Sequence, residues 1–277
     1  MMKKYIYDDK LVLKNGIWYA SDSEVLSYPD DARDMLFALE DKSFWFLHRN
    51  QCIIEFMKFF PPQGTVFDVG GGNGFVSKGL SEAGFDVVHV EPGAGGALNA
   101  KKRGGFDVIC APFSKKYFRD HSANAVSLFD VMEHIENDSV FLREIHSLMQ
   151  TGGNLYLTVP AYRRLWSQTD AEAGHFRRYT VASLRNVLRK NGFEVCFNSY
   201  IFSYLPFPIF LMRALPYKLG LRKETLAKKI LRELTVGGGI SVSALRLLNA
   251  VEVKRIKKGK RIPFGGSILM VTKKQEK

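Results

Sequence analysis

From residue 64 onward, short apolar runs alternate with amphipathic stretches. Thr65-Val66-Phe67-Asp68-Val69, Asp86-Val87-Val88-His89-Val90-Glu91, Val108-Ile109-Cys110, Ala125–Phe129, Asn154–Val159 and Glu194–Phe197 read as strands. Continuous apolar runs bounded by turn residues suit strands buried on both faces. Between them the spacing predicts helices. Phe75–Ala83 is stopped by Gly84, and Ser139–Met149 is ended by Gly152-Gly153. Thr180–Arg189 is capped by Thr180 and closed by Asn191-Gly192. Serial β-α-β alternation predicts an α/β fold with a mainly parallel, doubly wound sheet. Ligands of such sheets sit beyond the carboxyl ends of the strands.

The flanks follow other patterns. Tyr5-Ile6-Tyr7, Leu11-Val12-Leu13 and Ile17-Trp18-Tyr19 are β-prone, with a turn at Lys14-Asn15-Gly16, so a small hairpin is expected. Residues 30–60 read as helical up to Pro61-Pro62. Residues 197–216 are apolar, but Pro206, Pro208 and Arg213 argue against a straight membrane-spanning helix. Two basic helices are expected at about 218–235 and 241–257. On the first, Leu219, Leu226, Ala227, Ile230, Leu231 and Leu234 share one face, and Arg222, Lys228, Lys229 and Arg232 the other. Ser267–Thr272 reads as a last strand. The expected division is 1–62 as hairpin and helical cap, 63–197 with 263–277 as core, and 198–262 as a helical insertion. The insertion is expected to serve as a lid or a membrane-facing patch.

Composition changes little: 46% apolar and 25% charged residues describe a globular chain and exclude a disordered one. Charge is more informative. The net charge is +12, and residues 217–277 hold 16 Lys/Arg against 4 Asp/Glu, so the excess is C-terminal. A solvated basic face explains that, and so does an anionic partner such as a membrane surface or nucleic acid. Cys52, Cys110 and Cys196 are isolated, which predicts reduced thiols in a cytoplasmic protein. Met1–Asp9 lacks the apolar core of a secretory signal.

The chemistry concentrates at Asp68-Val69-Gly70-Gly71-Gly72-Asn73-Gly74. This loop follows a buried strand and opens a helix. Glycines let the backbone pass close to a ligand, and free N–H groups at a helix start favour an anion. Glu91 closes the next strand, where an acid can accept from both ribose hydroxyls. The dinucleotide fingerprint fails, since its last position falls on Phe75 or Ser77, and no phosphate-loop Lys follows.

This arrangement resembles motif I of the class I S-adenosylmethionine-dependent methyltransferases. Asp130-Val131-Met132-Glu133-His134 is similar to the segment after their fourth strand, and Gly152–Pro160 to their fifth. The resemblance implies a Rossmann-like seven-stranded sheet with one antiparallel strand, 267–272, beside the sixth. It implies S-adenosylmethionine as cofactor. Asp68, Gly70, Gly72, Gly74 and Asp130 would line its site, and Glu91 would hold its ribose. Phe113 would flank the adenine, although the chain reads Cys110-Ala-Pro-Phe113 where many relatives carry Asp.

Two further segments resemble a bacterial subgroup. Ser43–Asn50 is similar to its F-W-F-x-x-R helix, which implies that Arg49 pairs with the cofactor carboxylate. A helix packing its aromatics on the sheet explains the segment equally. Trp166-Ser-Gln-Thr-Asp170 and Gly174-His175-Phe-Arg177-Arg178-Tyr179-Thr180 resemble an acceptor-side stretch. His175 is the first candidate base for an alcohol acceptor, and His134 the second or else a structural residue. Trp166, Asp170, Arg177, Arg178 and Tyr179 would meet the acceptor, or the arginines would salt-bridge Asp170 and Glu172. Glu133-His134-Ile-Glu136 lacks a partner His at metal-ligand spacing, so no metal is expected. The expected activity is O-methylation of a small molecule, saccharide or lipid-linked glycan, at or near a membrane's inner face. A nucleic-acid methyltransferase and a non-catalytic cofactor-binding regulator remain as alternatives.

Overall fold

The computed structural model describes residues 2–21, 36–221 and 240–276. Nine strands form one sheet: β1 Leu11–Lys14, β2 Ile17–Ala20, β3 Val66–Val69, β4 Val87–Val90, β5 Asp107–Cys110, β6 Ala123–Phe129, β7 Met149–Pro160, β8 Phe193–Ile201 and β9 Ser267–Lys274. Their order is β1-β2-β5-β4-β3-β6-β7-β9-β8. Every neighbouring pair from β2 to β7 is parallel. β9 runs antiparallel to both β7 and β8, at the place expected for the last strand.

The sheet has nine strands, where seven were expected. The difference is the N-terminal hairpin. Asn15 and Gly16 adopt φ of 50° and 74°, the left-handed pair that a tight two-residue hairpin turn needs. β1 then pairs with β2, and β2 pairs in parallel with β5. The β5 edge carries unsatisfied backbone groups, and adding a strand covers them. Local sequence foresees the hairpin but not where it docks.

Helices follow their caps. α1, Phe44–Phe59, starts at Ser43, whose hydroxyl accepts from Trp45 N. Residues 36–40 are also helical, separated from α1 by a break at 41–43. α2 is Phe75–Glu82, and α3, Ala94–Arg103, is a helix the pattern did not reveal. Its Gly95-Gly96 pair hides the helical signal. The reason is packing: a Cβ at Gly96 would lie 2.9 Å from Gly72 O. α4, Asp138–Leu148, ends where β7 begins, without an intervening turn. Gly152-Gly153 therefore lies inside a strand, beside a register shift against β6, and does not terminate the helix. α5 is Gln168–Glu172 and α6, Val181–Lys190, carries Thr180 as its cap.

After β8, Pro206–Lys218 forms short helical turns, and α7 spans Ile240–Lys257. The expected helix at 218–235, with Leu226, Ala227, Ile230, Leu231 and Leu234, lies almost wholly outside the described residues. Among the described residues no helix is long and apolar enough to cross a membrane. α7 packs on α1 through a buried pair, His48 Nε2 to Glu252 Oε2 at 2.9 Å. Glu252 also accepts from Phe202 N at 2.8 Å and from Ser203 N at 2.6 Å, tying the end of β8 to the same carboxylate.

β3 is the switch point. The chain runs outward through β4 and β5 on one side, then returns through β6 and β7 on the other. Its flanks are fully buried, with Phe67 packed on Tyr5, Phe113 and Phe118. The crevice at a switch point opens beyond the strand ends. Asp68, Glu91 and Asp130 all lie at that end of β3, β4 and β6.

Candidate active site

The glycine loop leaves β3 with Gly70, Gly72 and Gly74 at φ of 70°, 56° and 76°. A side chain in this region is strained. Gly74 caps α2 through its backbone alone. A Cβ on Gly72 would meet nothing within 4 Å, so the loop has open space there. Glu91 stands across from it. Its carboxylate accepts from Gly72 N at 3.0 Å and Gly93 N at 2.8 Å, which fixes its direction.

Asp68 does not reach the open side of the loop. It is buried beneath it, accepting from Ser77 Oγ at 2.6 Å and Ser127 Oγ at 2.8 Å. Burial raises its pKa against those two hydrogen bonds. His89 Nδ1 lies 2.9 Å from Ser77 Oγ, and burial lowers this imidazole to about 3, so it is neutral. A Cβ on Gly71 would come within 2.5 Å of His89 Cε1. Asp68, Ser77 and His89 are thus the floor that shapes the loop. The flank is held by Arg103, whose Nε donates to Asn73 O at 3.0 Å while its guanidinium pairs with Glu40 at 2.9 Å. Sequence reasoning missed Ser77, His89, Glu40 and Arg103, because no local signal links them to the loop.

Arg49 and Asp130 meet at 3.0 Å. Asp130 has φ 57° and accepts from Thr158 Oγ1 at 2.9 Å, so a strained backbone presents it. Arg49 lies over the Trp45 ring, and Trp45 stacks on Phe202 at 5.4 Å. The aromatic helix therefore packs its aromatics and also carries Arg49 to the crevice. The Arg49 Nε is buried with no hydrogen-bond partner among the described residues. Phe113 is placed differently from the rest: its ring packs on Phe67 and Phe118 in the core.

On the acceptor side the loop after α5 folds back onto the segment that follows β6, where Phe176 N donates to Glu133 O at 2.7 Å. Asp170, 1% exposed, gathers the segment. It accepts from Ser167 N at 2.8 Å, from Arg178 Nε at 2.7 Å, and sits 3.0 Å from His175 Nδ1. Burial alone would raise its pKa. The hydrogen bond to His175 and the charge of Arg178 outweigh burial and lower it to about 2. Arg177 pairs with Asp138 at 2.8 Å, not with Glu172. Tyr179 is buried, its hydroxyl 3.1 Å from Asp138 Oδ2. Trp166 is half-buried at the start of this segment. Both arginines are thus engaged within the protein.

The two histidines come together. The His134 and His175 rings meet edge to face with centroids 4.7 Å apart. Burial, then the neighbouring His175, lowers the His134 pKa. Glu133, next to His134, is buried at 1% exposure and its Oε2 lacks a partner among the described residues. Burial and then Asp130 push its pKa well up. Glu133-His134 has no partner His at local metal-ligand spacing in the sequence; the His that meets them, His175, lies 42 residues beyond Glu133.

A family model described as a methyltransferase domain matches residues 46–196, over half of the chain. No curated protein sequence matches it. Among solved structures, a chain from the Haloferax volcanii complex of the Trm112 methyltransferase activator with a methyltransferase superposes with TM-score 0.58 at 16% identity. That match covers 90% of this chain and 96% of the other. Haemonchus contortus phosphoethanolamine N-methyltransferase 2, solved with S-adenosyl-L-methionine, gives 0.54 at 16% identity, covering 91% of this chain and 58% of its own. A Thermotoga maritima S-adenosylmethionine-dependent methyltransferase gives 0.51 at 15%, covering 88% and 95%. At these identities the likeness is one of fold.

Proposed function

The chain belongs to the methyltransferase-domain family of S-adenosylmethionine-dependent enzymes, and from that premise we propose that it methylates an oxygen of a small molecule, saccharide or lipid-linked glycan. The residues at the switch point suit the cofactor. Gly72 borders open space and Glu91 is aimed by two backbone donors. The buried, unpartnered Nε of Arg49 suits a carboxylate. In this reading Gly70, Gly72 and Gly74 pass close to the cofactor, Glu91 takes the ribose, and Arg49 with Asp130 takes the amino-acid end. Asp68 acts from beneath as a positioning residue. The cofactor supplies a methyl group on a sulfonium, open to in-line displacement.

The observation that carries the acceptor reading is the His134–His175 pair. An alcohol is a poor nucleophile until it gives up its proton. His175 is oriented through Nδ1 by Asp170, as a base held by a carboxylate is. Incubating labelled cofactor with membrane, glycan and RNA fractions tests the reading. Label is expected in glycan, lipid-linked or small-molecule material, and label confined to RNA would overturn it. His175→Ala should lower transfer by about 10²–10⁴-fold while retaining S-adenosylhomocysteine binding by calorimetry.

The segment after β8 supports a place near a membrane. Its turns meet the Arg163–Leu165 turn that follows β7, where Lys218 Nζ donates to Arg164 O at 3.2 Å. Phe210 lines an open pocket of about 480 Å³ with Tyr162, Leu165 and Thr180. Phe207, Leu211, Met212 and Leu221 are exposed on this segment. Apolar side chains beside a basic stretch suit an anionic bilayer surface. Flotation with phosphatidylserine vesicles at low salt should carry the protein, and Phe207→Ser with Met212→Ser should reduce it. Equal recovery with and without anionic lipid would leave only the pocket-lining role.

A further inference from the structure

We propose that Glu133, His134 and His175 form a binding site for a first-row divalent metal ion with zinc-like donor preference. Where the ion binds follows from these residues alone, while its use rests on the methyl-transfer reading. The three side chains each offer one donor atom, and these atoms lie within 4.8 Å of one another. Two imidazoles and one carboxylate are a nitrogen-rich set. Zinc and its first-row neighbours take it, whereas calcium and magnesium prefer oxygen alone.

The unsatisfied oxygen is an independent observation. Glu133 is 1% exposed and its Oε2 has no hydrogen-bond partner among the described residues. Leaving such a group unpaired is costly, more so for a charged one. A cation at this point removes the cost.

One imidazole is already oriented from behind. His175 Nδ1 sits 3.0 Å from Asp170 Oδ1, which leaves its Nε2 for an ion, and the His134 ring meets His175 edge to face with centroids 4.7 Å apart. Carboxylate- and carbonyl-backed imidazoles are the usual outer shell of metal-bound histidine. Asp170 is itself anchored by Ser167 and Arg178, so this support is stiff. Bonds of ~2.1 Å around a tetrahedral ion require donors roughly 3.4 Å apart. Closing the triad by roughly 1–1.5 Å meets that need, within the reach of two half-buried rings.

Three protein ligands leave a position open. An acceptor hydroxyl bound there would lose its proton to solvent more readily, and its oxygen would be fixed in place. The His pair then activates the acceptor through the ion instead of as a free base.

The test uses the full chain, stripped of metal and without added cofactor. Titration with Co(II) is followed by its visible absorption, with Zn(II) as competitor. One saturable equivalent, displaced by zinc, is expected. Glu133→Gln and His175→Ala should each weaken binding at least tenfold, and His121→Asn, outside the triad, should not. Circular dichroism checks folding, and the near-isosteric Glu133→Gln keeps the readout if His175→Ala unfolds. A folded wild-type chain that shows no saturable binding overturns the proposal, as does binding unchanged in Glu133→Gln. Such failure leaves the methyl-transfer reading standing. Intact metal binding with no label transfer to any fraction overturns that reading alone.

Discussion

Gly72→Arg is expected to abolish S-adenosylhomocysteine binding, with loss of all measurable heat in titration calorimetry. The effect has two sources. Gly72 adopts φ 56°, where an L side chain is strained by about 1–2 kcal/mol. Its missing Cβ also borders open space, which a long cationic side chain would fill. The fold should persist, because nothing within 4 Å of that position is displaced. Glu91→Ala should weaken binding without abolishing it, since it removes one recognition group and leaves the loop. Asp68→Ala should abolish binding by another route. It takes the shared acceptor from Ser77 and Ser127, and the loop loses its floor. Unchanged affinity in all three variants would place the ligand elsewhere.

Asp170→Asn is expected to cost roughly 3–5 kcal/mol of stability at neutral pH, the range for breaking a buried ion pair. Arg178 is left without its counter-charge, and Ser167 N and His175 lose an ionised acceptor. The pH dependence has a definite sign. Asp170 has a folded-state pKa of about 2 against an ordinary 3.8. Its stabilisation is therefore complete above the unfolded value and lost as pH falls through the folded one. That component is about 2 kcal/mol. Urea denaturation of wild type and variant from pH 7 to pH 2 should show the gap narrowing below about pH 4. A gap constant across this range would mean that Asp170 carries no charge-dependent stabilisation.

Much of this protein was legible in the order of its residues. Buried parallel strands announce themselves as uninterrupted apolar runs, because both faces are covered. The loop Gly70–Gly74 is legible because left-handed backbone and close approach admit few residues but glycine. Glu91 was legible by its place at the end of the next strand. These are local or near-local requirements, and each leaves a mark within a few residues.

The tertiary structure decided the rest. The hairpin at 11–20 extends the sheet because the β5 edge had unsatisfied backbone groups, a fact located 90 residues away. α3 escaped notice because Gly96 answers to Gly72 and Glu91, not to helix propensity. Asp68 turned from the crevice toward Ser77 and Ser127, and Phe113 gave its ring to the core. Arg177 and Arg178, legible as cations, found Asp138 and Asp170 inside the chain. His134 and His175 meet beside Glu133 only because the loop after α5 folds back onto the segment that follows β6. Sequence determines backbone geometry and burial where the requirement is local. Which polar side chains share a space depends on chain crossings, and those exist only once the sheet has closed around its switch point.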